Sequence, residues 1–168
     1  MTHQSDPSTD IRRDPSAFRD GLARMATSVS VVTTQVDGRH HGFTANSVVS
    51  VSEDPPLVAI CLAVNAECHE AFTRARTVAV NVLAYGQEHL SQLFSTRGAD
   101  KFGTDGFAPG DRDAPVLPGA ALVLEGAVHT RQSAGDHTMF LVDVSHVRVG
   151  DTAPLVYQER RFRRLDAA

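Results

Sequence analysis

Thr44, Asn46 and Ser47 lie close together in Gly42-Phe43-Thr44-Ala45-Asn46-Ser47, the small and hydroxyl-bearing end of a segment otherwise rich in Val. Hydroxyls and free backbone amides at a strand end can bind a phosphate or the polar edge of a heterocycle. The same residues also suit an ordinary strand that shows Thr and Ser to solvent. Val49-Ser50-Val51-Ser52 then runs into Glu53-Asp54-Pro55-Pro56. Two prolines remove two backbone donors and force the chain out of the sheet, leaving amides for a ring that carries donors and acceptors, or simply making a turn. Asp100-Lys101-Phe102 holds the single lysine among the sixteen basic residues. It reads either as a phosphate partner or as a solvated loop lysine. In Gly135-Asp136-His137 the Gly permits a tight turn and the Asp can orient the imidazole. A turn with a capped histidine is the plainer alternative.

Other chemistry is argued against by absence. No GxGxxG follows a strand, and neither GxxxxGK[ST] nor GxSxG occurs. His40 and His41 are adjacent, and neighbouring strand residues point to opposite faces, so the two cannot share one metal ion. His129 reads as a surface histidine. In Arg160-Arg161-Phe162-Arg163-Arg164, strand alternation splits the guanidiniums between two faces, which suits a solvated edge strand better than an RNA-binding surface.

The elements that must carry these residues follow from periodicity. Residues 1 to 14 are polar and predict a mobile tail. Asp14-Pro15 starts a helix whose Phe18, Leu22 and Met25 form one buried stripe. SVSVVTTQV, a turn at Asp37-Gly38 and HHGFTANSVVSVS predict a hairpin running into a third strand; LVAICLAV after the prolines reads as a strand buried on both sides. A short helix over 66 to 75 turns Ala71 and Phe72 inward. VAVNVLA (78 to 84) is a strand, and a helix over 87 to 94 buries Leu90, Leu93 and Phe94. Ser95 to Gly119 has no sustained period and is too long for an ordinary connection. Strands over 121 to 130 and 138 to 149, joined by a loop over 132 to 137, and a strand pair around 155 to 165 complete the chain. Six or seven strands linked by consecutive hairpins favour a closed or nearly closed antiparallel barrel with peripheral helices.

Composition sets the frame. The 168 residues, 42% hydrophobic and 21% charged, fit one domain, expected over residues 15 to 168. A net charge of -4 supplies no positive field for a nucleic-acid backbone, and no apolar run is long enough for a membrane helix, so neither partner is expected. The first twenty residues lack the apolar core of a signal peptide, which points to the cytoplasm, where Cys61 and Cys68 would be reduced. With aromatic residues at 6% and no Trp, a planar ligand would lie against backbone and aliphatic atoms.

Taken in order, Phe18-Arg19, SVSVVTT, GFTANSVVSVSEDPPLV, VAVNVL, ADKF, AGDH and PLVYQERRF resemble the short-chain flavin reductases of two-component flavin-dependent monooxygenases, a family of FMN-binding split barrels. The resemblance spans roughly residues 15 to 165. It implies a mainly β fold, a six-stranded antiparallel Greek-key split barrel with short peripheral helices, acting as a homodimer with the flavin at the subunit interface. It implies NAD(P)H-dependent reduction of FMN or FAD by hydride transfer, with NADH favoured because no motif supplies an Arg for a second nucleotide phosphate. It also implies a partner monooxygenase reached by diffusing reduced flavin.

By the same resemblance, Thr44, Ala45, Asn46 and Ser47 lie along the ribityl chain and phosphate. Ser50, Val51 and Ser52 face the ring edge, and Lys101 and Phe102 close over the phosphate. Gly135, Asp136 and His137 form the turn that sets His137 against the nicotinamide nucleotide. No protein nucleophile or base is needed, since rate comes from positioning. Many relatives carry Arg or Lys and Ser or Thr where this chain has Val64 and Cys68. A thiol is a weak donor and Glu67 opposes a phosphate, which points to weak flavin binding suited to a diffusible substrate. A non-catalytic flavin carrier on the same barrel is the alternative, and it has no use for His137.

Overall fold

The computed structural model describes residues 10 to 103 and 106 to 165. Of the expected tail, residues 1 to 9 lie outside the described residues, and 10 to 14 form an exposed turn in which Asp10 accepts the Arg12 amide at 3.0 Å. Helix α1 (Pro15–Ala23) starts as the sequence predicts, with Asp14 accepting the Ser16 amide at 3.0 Å and Pro at the first turn.

Among the described residues the strands are β1 (Thr27–Ser28), β2 (Ser30–Val36), β3 (Arg39–Ala45), β4 (Val49–Glu53), β5 (Pro56–Ala63), β6 (Thr77–Val82), β7 (Ala108–Pro109), β8 (Pro115–Val116), β9 (Leu122–Ala134), β10 (His137–Val149), β11 (Val156–Gln158) and β12 (Arg161–Arg163). Helix α2 (His69–Arg74) joins β5 to β6, and α3 (Glu88–Ser95) follows β6. The fold is mainly β, as expected. The main sheet has seven strands rather than six, in the order β3-β2-β6-β9-β10-β5-β4, with every ladder antiparallel.

Its two edge strands, β3 and β4, are consecutive in the chain. Laid flat, seven strands would put these edges about 29 Å apart, six spacings of roughly 4.8 Å. The four Cα steps from Ala45 to Val49 reach at most about 15 Å. The sheet therefore rolls until its edges approach, and a seam is left between β3 and β4 because no ladder joins them among the described residues. The sequence predicts a closed or nearly closed barrel, and among the described residues the sheet does not close.

Rolling gives each strand an inner and an outer face. Val32, Phe43, Ile60, Val78, Val80, Phe140 and Val142 point inward and pack around Phe72 of α2. Val31, Ala79 and Val123 point outward beneath Leu90 and Phe94 of α3, Val116 and Leu117 of the long connection, and Leu155. Burial on both faces holds along most of β2 and β6, whereas LVAICLAV, expected to be buried on both sides, is only partly so: Leu57, Val58, Cys61 and Ala63 are half-buried and Val64 is exposed. A buried polar clip fixes the long connection to the outer face. The Leu117 amide donates to Asn81 Oδ1 at 2.8 Å, Asn81 Nδ2 donates to Val31 O at 3.0 Å, and the Thr33 hydroxyl donates to Pro115 O. Glu125, 1% exposed on β9, accepts from Arg148 and, at 3.2 Å, from the Arg112 amide.

Three local expectations change. Glu53-Asp54-Pro55-Pro56 is a tight hairpin with Glu53 paired to Pro56 and a cis Asp54–Pro55 bond, rather than a break in pairing. The loop expected over 132 to 137 shrinks to a turn at Gly135 and Asp136, because Gln132 and Ser133 continue the β9–β10 ladder. The stripe on α1 is not buried: Phe18, Leu22 and Met25 are 54%, 48% and 58% exposed. Arg160, Arg161, Arg163 and Arg164 form the solvated edge expected of them, with Phe162 packed against Tyr157 at 5.4 Å.

Candidate functional site

A cavity of about 370 Å³ opens on the seam. Its walls come from the end of β3, the end of β5, the turn into α2, the end of α3, and the first residue of β10. A cleft between sheet edges leaves backbone outside the ladders facing solvent, the condition for a ligand to approach the main chain.

The chain from Thr44 to Ser47 lines one wall. Two of its hydroxyls also brace the cavity. Thr44 donates to Ser91 O of α3 at 2.6 Å, and Ser47 Oγ accepts the Cys61 amide at 3.3 Å, which ties a residue between the β3 and β4 ladders to β5. Ala45 and Asn46 complete this wall, Asn46 with its side chain exposed.

Lys101 enters from the connection that follows α3. Its loop is held at several points: Arg97 donates to Asn65 O, the Gly98 amide donates to Glu67 Oε2 at 3.1 Å, and the Phe102 amide donates to Asp100 Oδ1 at 3.4 Å. Gly103 packs so tightly that a β-carbon there would lie 2.2 Å from Asp100 Oδ2. The Lys101 side chain is 14% exposed, and its nearest carboxylate is Glu67 at 4.0 Å, too far for a close ion pair.

His137 stands at the rim. Its strand is flanked by β5 and β9, with His137 opposite Ala63 and Ala134, and the Val64 amide bonds Asp136 O at 3.0 Å. Asp136 Oδ1 lies 2.7 Å from His137 Nδ1, and this hydrogen bond holds the exposed Asp136 carboxyl below its ordinary range. The contact fixes one ring nitrogen and leaves Nε2 for another partner.

Cys68 is buried against the cavity and burial pushes its thiol up, so it presents a neutral SH. Thr44, Ala45, Asn46, Ser47, Cys68, Lys101 and His137 thus share one cavity. Ser50, Val51 and Ser52 sit on edge strand β4, with a bulge between Ser50 and Ser52, and do not line it. Phe102 turns away to join a cluster with Phe94, Phe107 and His40, each ring centroid 5.3 Å from its own. Gly135, with φ of 63°, and Asp136 form the exposed turn behind His137. Leu62, Ala63, Asn65, Ser95 and Arg97, for which the sequence offers no site reading, and Phe94, expected as core, line the cavity too. Arg97 had one legible signal, a cation just past the end of α3.

A strand end with unladdered backbone, an apolar floor and two cations suits a planar ring with a polar edge and an anionic tail, so the residues present fit a flavin nucleotide. The chain is 40% identical over 166 residues to NADH:riboflavin 5'-phosphate oxidoreductase of Streptomyces pristinaespiralis, covering 96% of this chain and 94% of that one. It is 41% identical over 157 residues to a Streptomyces coelicolor protein named actinorhodin polyketide dimerase, covering 92% and 89%. The Streptomyces globisporus NADH:FAD oxidoreductase SgcE6, solved with NAD and FAD fragments, superposes with a TM-score of 0.89 at 35% identity, over 96% of this chain and 98% of that one. BorF, the flavin reductase component of a bacterial two-component tryptophan halogenase, gives 0.82 at 35% identity, over 89% and 97%. The family described as flavin reductase like domain matches residues 22 to 166, and the chain belongs to that family.

Proposed function

We propose that this protein is an NADH-dependent flavin reductase that supplies reduced FMN or FAD to a separate flavin-dependent oxygenase. One observation carries the reading: the seam cavity gathers the strand end at 44 to 47, the Lys101 ammonium and the His137 imidazole from three distant stretches of chain. The relatives named as NADH:flavin oxidoreductases and the halogenase component support the activity and the two-component arrangement.

A bound flavin would supply the ring that accepts a hydride from the nicotinamide. The protein's own part is placement. Backbone and hydroxyl groups from Thr44 to Ser47 would run beside the ribityl chain, Lys101 would hold the phosphate, and His137 would orient the nicotinamide nucleotide through Nε2. No side chain need move a proton, so the rate gain comes from orientation and exclusion of water. A homodimer, the cytoplasm as its location and exchangeable flavin belong to the same proposal. The exposed Phe18 and Leu22 of α1, Met25 just beyond it, and Val49 and Val51 of β4 support a second copy, which would bring β4 against a bound ring.

The test is anaerobic oxidation of NADH with added FMN, FAD or riboflavin, followed by bleaching of the visible flavin band, on material sized by sedimentation. Bleaching is expected with a dimer. No bleaching with any flavin would leave a carrier at most, and full activity at monomer mass would remove the dimer. In the same assay His137→Ala should raise the KM for NADH about tenfold, in keeping with one lost charge-assisted or polar contact, while flavin binding stays within about twofold. An unchanged KM would release His137 from its role.

A further inference from the structure

Glu67 is the one acidic side chain lining the seam cavity among the described residues. It stands where a phosphate would be least welcome. Its Oε2 accepts the Gly98 amide at 3.1 Å and lies 4.0 Å from Lys101 Nζ, so the oxygen that holds the loop backbone also sets a negative charge near the chain's single lysine without closing a tight ion pair. The Glu67 side chain is 53% exposed but anchored by the Gly98 amide, while that of Lys101 is only 14% exposed. The second cation of the cavity, Arg97, is already engaged by Asn65 O.

We propose that Glu67 competes with the flavin's terminal phosphate for Lys101, and so sets how loosely the site holds phosphorylated flavins and which of them it prefers. The proposal rests on the flavin-reductase reading above. A phosphate monoester such as that of FMN carries close to two negative charges on one phosphorus near neutral pH, whereas the phosphates of FAD form a bridging pyrophosphate with one charge on each phosphorus. A fixed carboxylate beside Lys101 therefore penalises FMN most, FAD less, and riboflavin not at all. The consequence is release: a flavin whose phosphate must displace an internal anion binds with less net gain and leaves more readily, as a diffusible product should.

Glu67→Gln tests this with minimal disturbance, because the amide keeps an oxygen for the Gly98 amide and loses only the charge. Titrations of oxidised FMN, FAD and riboflavin against wild-type protein and the variant, followed by flavin fluorescence, would be run at low and high salt. Removing one charge a few ångströms from a dianion in a half-exposed site should tighten FMN about tenfold at low salt. FAD should gain less and riboflavin stay within about twofold. The FMN gain should shrink at high salt, where half-exposed charges are screened. Equal shifts for all three flavins would mean that Glu67 acts only by shaping the loop, and an unchanged FMN affinity would mean no competition; either overturns the proposal. Wild-type protein that binds none of the three would instead remove the flavin-reductase reading itself.

Discussion

Lys101→Met should weaken FMN binding by about 10- to 100-fold, the range for losing one hydrogen bond to a charged group, or about 1.5–3 kcal/mol. The expectation follows from how little else in the cavity can meet a phosphate. Of its other polar groups, Arg97 is turned to a backbone carbonyl, Cys68 offers a neutral thiol, and Thr44 and Ser47 already spend hydroxyl contacts on Ser91 and Cys61. Met keeps the length and apolar stem of Lys101, so its loop, pinned by Gly98, Asp100 and the Phe102 cluster, should stay in place. Riboflavin, which lacks the phosphate, separates charge from shape: its reduction should change by less than about twofold. The KM for FMN should rise with its Kd, while kcat at saturating FMN stays close to wild type, since the lysine grips a part of the substrate remote from the ring. Steady-state kinetics with both flavins provide the check. Equal losses with FMN and riboflavin would place Lys101 in a structural role.

What the sequence made legible here was chemistry concentrated within single segments. The hydroxyl-rich end of β3, the lone lysine in an aperiodic connection and the Gly-Asp-His turn each stand out against their immediate neighbours, and each delivers a side chain to the seam. What stayed hidden depends on partners far along the chain. Phe102 reads as a lid beside Lys101 until Phe94 and Phe107 are seen to draw it into the outer cluster. Glu125 looks like a surface charge on a strand, and it is buried because Arg148 reaches it from the next strand. Gln132 and Ser133 were expected in a loop because strand alternation is visible only where one face is buried, and both faces of that hairpin end are exposed. The stripe on α1 was readable, but periodicity shows only that a helix has an apolar face and not what covers it. The seam itself is a property of topology, set by two sheet edges joined through three residues, and no local pattern encodes it.

Phe72→Ala should cost about 3–5 kcal/mol of stability, the usual range for a fully buried Phe, and should weaken the flavin site as it does so. Helix α2 has six residues, no side-chain cap at Cys68, and Phe72 as its one buried residue, so the ring is its main attachment to the barrel interior. That ring is 0% exposed and packs edge-on against Phe43 at 4.9 Å and Phe140 at 6.3 Å, joining the two sides of the rolled sheet. Truncation would leave a cavity between β3 and β10, the strands that carry Thr44 and His137, and would loosen the turn that carries Glu67 and Cys68. The His69 ring, 2.9 Å from Thr138 Oγ1, gives α2 a second tether, which predicts displacement of the helix rather than its loss. A loss of this size is a large share of a small domain's stability, about 5–15 kcal/mol in all, so Phe72→Leu serves as the milder companion that keeps the fold. Urea unfolding should show a lower midpoint for both variants, larger for Ala, with FMN affinity falling in the same order. A midpoint shift for Phe72→Ala equivalent to less than about 1 kcal/mol would mean that α2 is held elsewhere. Stability lost without any change in FMN affinity would separate the interior from the seam, against the argument that one aromatic cluster sets the spacing of the walls on both sides of the site.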